Sequence, residues 1–66
     1  MANRMMKWFK YEHLPTHLQD VSRECWKLAI IMDEGMPEGP EKSAGLRKLL
    51  EAKDCFVRAM IEGKDE

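Results

Sequence analysis

Two groups of residues in this chain have types and spacings suited to an anion that carries a planar ring. Trp8-Phe9-Lys10-Tyr11 places three aromatics and a cation in four consecutive positions. A nucleobase stacks on such a ring for roughly 1–3 kcal/mol while nearby cations hold its phosphate. Ser43 and Arg47 lie one helical turn apart, and a hydroxyl with a guanidinium at that spacing can clamp one phosphate. Arg23 and Lys27 flank Trp26 and add a second patch of cation and aromatic. Each feature also has a plainer reading. The aromatics can plug the open end of a small fold, Trp26 and Ile30 can pack inside an oligomer, and most surface arginines hold no ligand.

The inventory for bond-making chemistry is thin. His13 and His17 are four apart, but Pro15 between them breaks the shared helical face that a metal would need. Cys25 and Cys55 read as buried or half-buried thiols with no adjacent base. No glycine-rich phosphate loop, nucleophile elbow or convincing carboxylate pair is present. No catalytic residue, metal site or cofactor is therefore expected, and the chain does not read as an enzyme.

The elements that must position these residues are helical. Residues 1–15 form an arm carrying Arg4, Lys7 and Lys10 against one acid, Glu12. Thr16, with Gln19 three residues on, predicts an N-cap and capping box for a first helix over 16–34. Gly35 is expected to supply a left-handed residue past its end, and Pro37 to forbid continuation. Gly39-Pro40 opens a second helix with proline at its first position; it is expected to run over 40–62 and stop at Gly63. The pattern predicts an all-α antiparallel helical hairpin with an N-terminal aromatic arm. In the first helix Leu18, Val21, Cys25, Leu28 and Met32 form an apolar seam, with Trp26 and Ile30 off it. In the second, Leu46, Leu49, Leu50, Phe56, Val57 and Met60 make a broad apolar face. Lys42 and Lys53 sit near its middle, where Lys53 is expected to snorkel. Two helices cannot bury both the seam and the Trp26–Ile30 patch against each other, so a homo-oligomer is expected.

Size and charge agree with that. A 66-residue chain buries only about 60% of its unfolded surface, so its own core is marginal. Eleven basic and twelve acidic residues give a formal charge of −1, which provides no field for long nucleic acid. Two cysteines are too few for a secreted disulfide scaffold. The longest apolar run, residues 28–32, is far too short to span a bilayer, and no signal peptide is visible. A reduced cytoplasm without membrane association is the expected setting.

The stretches Phe9-Lys10-Tyr11-Glu12-His13-Leu14-Pro15 and His17-Leu18-Gln19-Asp20-Val21-Ser22 resemble small proteins of tailed phages. So do Pro37-Glu38-Gly39-Pro40-Glu41-Lys42-Ser43 and Leu46-Arg47-Lys48-Leu49-Leu50-Glu51-Ala52. Over nearly its whole length the chain is similar to the anti-CBASS cyclic-oligonucleotide sponges, whose hairpin domain is shared with a Thoeris anti-defence sponge. The resemblance implies binding without hydrolysis. Family members assemble as hexamers and sequester second messengers of bacterial immunity in the host cytoplasm. Their ligands are chiefly cyclic dinucleotides of the 3′,3′-cGAMP type, and some members also take cyclic trinucleotides at separate sites. Carried over, Tyr11 matches the aromatic that stacks on a base and Ser43 the hydroxyl opening the second helix. Arg23 or Lys27, with Trp26 between them, matches the phosphate-contacting cation. Trp8 and Phe9 are expected to anchor the arm, and Trp8 and Arg47 complete the expected ligand-binding set. The alternative class is an oligomeric interaction module that inhibits a host protein through the aromatic arm.

Overall fold

Proline sets both helix starts. In the computed structural model, which describes residues 3–65, α1 spans Thr16–Gly35 and α2 spans Pro40–Asp65. The carbonyl of Pro15 accepts from the N–H groups of Leu18 and Gln19 at 2.9 and 3.2 Å, and Pro15 occupies the N-cap. The expected Thr16–Gln19 capping box does not form, because Thr16 is already helical. Gln19 instead donates its side-chain amide to the carbonyls of Leu14 (2.8 Å) and Glu12 (3.3 Å), fastening the incoming turn.

The exit from α1 also departs from expectation. Gly35 belongs to the helix, and no described glycine has a positive φ. The chain leaves through Met36 in extended backbone (φ −127°, ψ 144°), since Pro37 disfavours the α region for the residue before it. The carbonyls orphaned at this end are taken by Lys42, whose Nζ donates to Asp33 O at 2.6 Å and Met36 O at 3.0 Å. The second helix begins at Pro40 as expected. It passes through Gly63 to Asp65 instead of stopping, because glycine lowers helix propensity by about 1 kcal/mol without forbidding the conformation.

The two helices are antiparallel and the molecule is 42 Å long. Asp33 meets Lys42 near the connection, and His17 meets Ala59, Met60 and Gly63 at the open end. The buried stripe of α1 is Leu18, Ser22, Cys25 and Ala29, rotated from the expected seam. Val21 is only half-buried and Leu28 is 42% exposed. The rotation has a cause in the arm. Phe9 is fully buried and packs with Ala29 and Leu46, and a small residue at 29 leaves room for its ring.

The arm is more ordered than its sequence suggests. Arg4–Phe9 forms a 3-10 helix capped by Asn3, whose Oδ1 accepts from Met5 N at 2.9 Å. Asn3 lies against Asp33 and Ser43, Trp8 against Lys53, and Tyr11 against Trp26. The arm thus runs along the hairpin from its connection toward its open end. Lys53 does more than snorkel. It is buried, and its ammonium donates to the Trp8 carbonyl at 3.2 Å, with Asp54 Oδ1 at 3.3 Å. Phe9 anchors the arm through its ring, whereas Trp8 does so through its carbonyl and is itself 56% exposed.

Candidate functional site

The residues expected to bind a ligand fall into two groups on the side of the hairpin that carries the arm. The first is centred on Tyr11. A turn closed by Leu14 N–H on the Tyr11 carbonyl (3.0 Å) sets the ring against Trp26 of α1. The ring centroids are 5.5 Å apart at an interplanar angle of 58°, a tilted contact within the favoured range for aromatic pairs. Trp26 also packs on the Phe9–Ala29–Leu46 core. The Trp26–Ile30 patch is therefore not surplus surface. Trp26 and Ile30 are both half-buried, and the arm, absent from a two-helix account, covers Trp26.

Arg23 stands one turn before Trp26 on the same helix face, and Lys27, one turn after Arg23, lies about 100° further around the helix from Trp26. Arg23 pairs with Asp20 at 2.7 Å and Lys27 with Glu24 at 3.4 Å, all four side chains being substantially exposed. Such exposed pairs contribute about 0–1 kcal/mol, so either cation can turn to an incoming phosphate at small cost. Trp8 lies nearby in sequence but serves a different contact: Lys7 Nζ sits 5.1 Å from its ring centroid.

The second group lies at the start of α2. Ser43 is half-buried, and its Oγ accepts from Asn3 Nδ2 at 3.1 Å. The same amide donates to Glu38 Oε2 at 3.1 Å, and the Asn3 N–H donates to Asp33 Oδ1 at 3.1 Å. Lys42 closes the cluster, with Asp33 Oδ1 at 3.0 Å and Glu38 Oε1 at 2.7 Å from its Nζ. The hydrogen bond from Lys42 holds the Asp33 carboxyl below the usual carboxylate range against the opposing effect of burial, and Asn3 adds to the same direction. Glu38 and Asp33 raise the Lys42 ammonium above its ordinary value. Arg47 projects one turn beyond Ser43 and is exposed, with no carboxylate partner among the described residues.

The two groups do not converge in one copy. Trp26 and Asp33 are seven residues apart on α1, which separates Tyr11 from Ser43 by roughly 10 Å along the hairpin. Sequence reasoning missed Asn3, which joins the arm to both helices. A signal was present, because asparagine is among the strongest N-cap residues, but a six-residue 3-10 segment has no periodicity to draw attention to it.

Two apolar grooves open on the other side of the helix seam. One, about 290 Å³, lies between Leu28 and Met32 of α1, Met36 just past its end, and Gly45, Leu46 and Leu49 of α2. The other, about 340 Å³, is lined by His17, Ala59, Met60 and Gly63. Among the described residues no three His, Cys, Asp or Glu side chains gather as a metal site, and no helix is long and apolar enough to cross a membrane. No family model, curated protein or solved structure matches the chain.

Proposed function

We propose that the chain is a phage anti-defence sponge that binds cyclic dinucleotides of the 3′,3′-cGAMP type without hydrolysing them. By sequestering the messenger in the host bacterial cytoplasm it blocks CBASS signalling. The observation that carries this reading is the Tyr11–Trp26 pair with Arg23 and Lys27 beside it. A tilted aromatic pair that joins the arm to α1 offers a surface for a base, and two weakly held cations on α1 lie within reach of its phosphate. Ser43 and Arg47 supply a second phosphate contact. Because they stand apart from Tyr11 in one copy, the complete site forms between copies of a homo-oligomer, a hexamer in the proteins the sequence resembles. A twofold ligand suits a site built twice from identical parts.

Calorimetry with 3′,3′-cGAMP and cyclic di-AMP tests the proposal. Saturable binding by the folded oligomer is expected, with the ligand recovered intact after denaturation. Tyr11→Ala lowers affinity roughly ten- to a hundredfold, the value of one lost stacking contact. Absence of heat at micromolar protein overturns the reading. Co-purification with a host polypeptide together with that silence points instead to an inhibitor of a host protein.

A further inference from the structure

We propose that Asn3 is a positioning residue that turns the Ser43 hydroxyl into a donor for a phosphate oxygen of the bound ligand. The inference rests on the sponge reading above and deepens it.

The argument is one of hydrogen-bond direction. An asparagine side chain has one acceptor oxygen and two donor hydrogens. The Asn3 Oδ1 is committed to Met5 N–H at 2.9 Å, because it caps the 3-10 helix. That bond fixes which way round the amide lies. Reversal would also turn the oxygen toward Glu38 Oε2, which now takes one amide hydrogen at 3.1 Å. The remaining hydrogen reaches Ser43 Oγ at 3.1 Å, so the serine oxygen is the acceptor in that contact. Its own proton is left to donate elsewhere, and among the described residues it has no acceptor. Serine within a helix often returns its proton to the carbonyl four residues back. Here the Gly39 carbonyl receives the Ser43 backbone N–H at 3.1 Å and no bond from the hydroxyl.

The surroundings make this donor usable. Asn3 is 7% exposed and also bound through its backbone to Asp33, so its amide is held firmly. The carboxylates of Asp33 and Glu38 are both within 3.0 Å of the Lys42 ammonium, which offsets part of their charge. Glu41 lines the groove on the other side of α2. Arg47 brings a free cation one turn beyond Ser43. A neutral amide thus orients a hydroxyl beside a guanidinium, the combination that binds a phosphate monoanion. Aspartate at position 3 would reverse the direction, since a carboxylate only accepts and would draw the Ser43 proton to itself.

A double-mutant cycle read by calorimetry with 3′,3′-cGAMP tests the assignment. Asn3→Asp and Ser43→Ala are each expected to weaken binding about tenfold, the scale of one hydrogen bond to a charged group. In the Ser43→Ala background, Asn3→Asp is expected to cost nothing further. Equal losses in both backgrounds overturn the assignment, because a residue that merely docks the arm acts regardless of Ser43. A Ser43→Ala protein that binds normally overturns it too. Asn3→Ala runs the same cycle without adding a carboxylate beside Glu38 and Asp33, and it decides the matter if Asn3→Asp undocks the arm, as seen by near-ultraviolet circular dichroism of Tyr11 and Trp26. Wild-type protein that binds no cyclic dinucleotide removes the sponge reading itself. Wild-type binding with an additive cycle removes only the role of Asn3.

Discussion

Ser22 has no exposed surface, and its hydroxyl has no partner among the described residues. An unmet buried hydroxyl costs on the order of 1–3 kcal/mol, whereas alanine keeps nearly the same volume without the polar atom. Ser22→Ala is therefore expected to stabilise the protein by about 1 kcal/mol, measured as a higher urea midpoint with unchanged slope. The two thiols differ in a similarly testable way. Cys25 is buried in the helix interface, where desolvation raises its thiol above the ordinary value despite the opposing charge of Lys53; Cys55 is exposed beside Arg58. Iodoacetamide followed by mass spectrometry should modify Cys55 promptly and Cys25 only after unfolding. The same shift bears on pH. Folded Cys25 keeps its proton where the unfolded thiol ionises, so stability falls as pH rises from the ordinary thiol range toward the raised value. The raised Lys42 acts in the same sense higher up: its contribution is complete below the ordinary lysine range and lost as pH passes its folded value. Asp33, held low, contributes above the ordinary carboxylate range and is lost only as acid reaches its folded value. Urea midpoints against pH should show a plateau through neutrality with loss on both flanks, and Cys25→Ala should remove the first part of the alkaline loss.

At the scale of elements, the arm acts as the third member of the core. Its hold comes from Phe9, fully buried among Ala29 and Leu46, with polar fastenings at Asn3 and at the Lys53–Trp8 contact. Phe9→Ala is expected to cost about 3–5 kcal/mol, much of what a chain of this size possesses. Thermal melting followed at the helix signal and at the Tyr11–Trp26 aromatic signal should show the aromatic signal lost at or before the helices. What the sequence discloses of these elements follows from how local each signal is. Pro15, Pro37 and Pro40 restrict the backbone directly, so both helix starts and the connection between them were legible. The stripe of α1 was not. Large residues such as Leu28 dominate a hydrophobic pattern, while the true stripe uses Ser22 and Ala29, partly to make room for a ring thirteen or more residues earlier in the chain. The capping box failed for a related reason, since Gln19 is needed by the carbonyls of the incoming turn. Of the candidate site, the Ser43–Arg47 spacing is local and could be read directly. The Tyr11–Trp26 contact and the hold of Asn3 on Ser43, forty residues away, depend on how the arm docks and leave no periodic trace.

Considered as a whole molecule, the hairpin is covered on one side and bare on the other. At about 100° per residue, Leu28 and Met32 lie on the far side of α1 from Trp26, and Gly45 and Leu49 on the far side of α2 from Ser43. The arm takes the first side. The second holds both apolar grooves, with Leu28 42% and Phe56 54% exposed. A hairpin face of 42 × 19 Å offers roughly 800 Å², about what one partner contributes to a standard interface. The proposed oligomer would cover it while leaving the Tyr11 and Ser43 groups on the arm-bearing side to meet their counterparts from other copies. Light scattering is expected to show an oligomer for the wild-type chain. Leu28→Glu and Phe56→Glu should each shift it toward smaller species, since a carboxylate within an apolar interface must be desolvated without a partner. Neither change touches the buried stripe, so helical circular dichroism should persist in the dissociated protein. Ligand binding should fall with assembly in these variants even though Tyr11, Ser43 and Asn3 are intact. A wild-type chain that remains monomeric at high micromolar concentration, or dissociated variants that bind 3′,3′-cGAMP as tightly as wild type, would show that the site does not require a second copy.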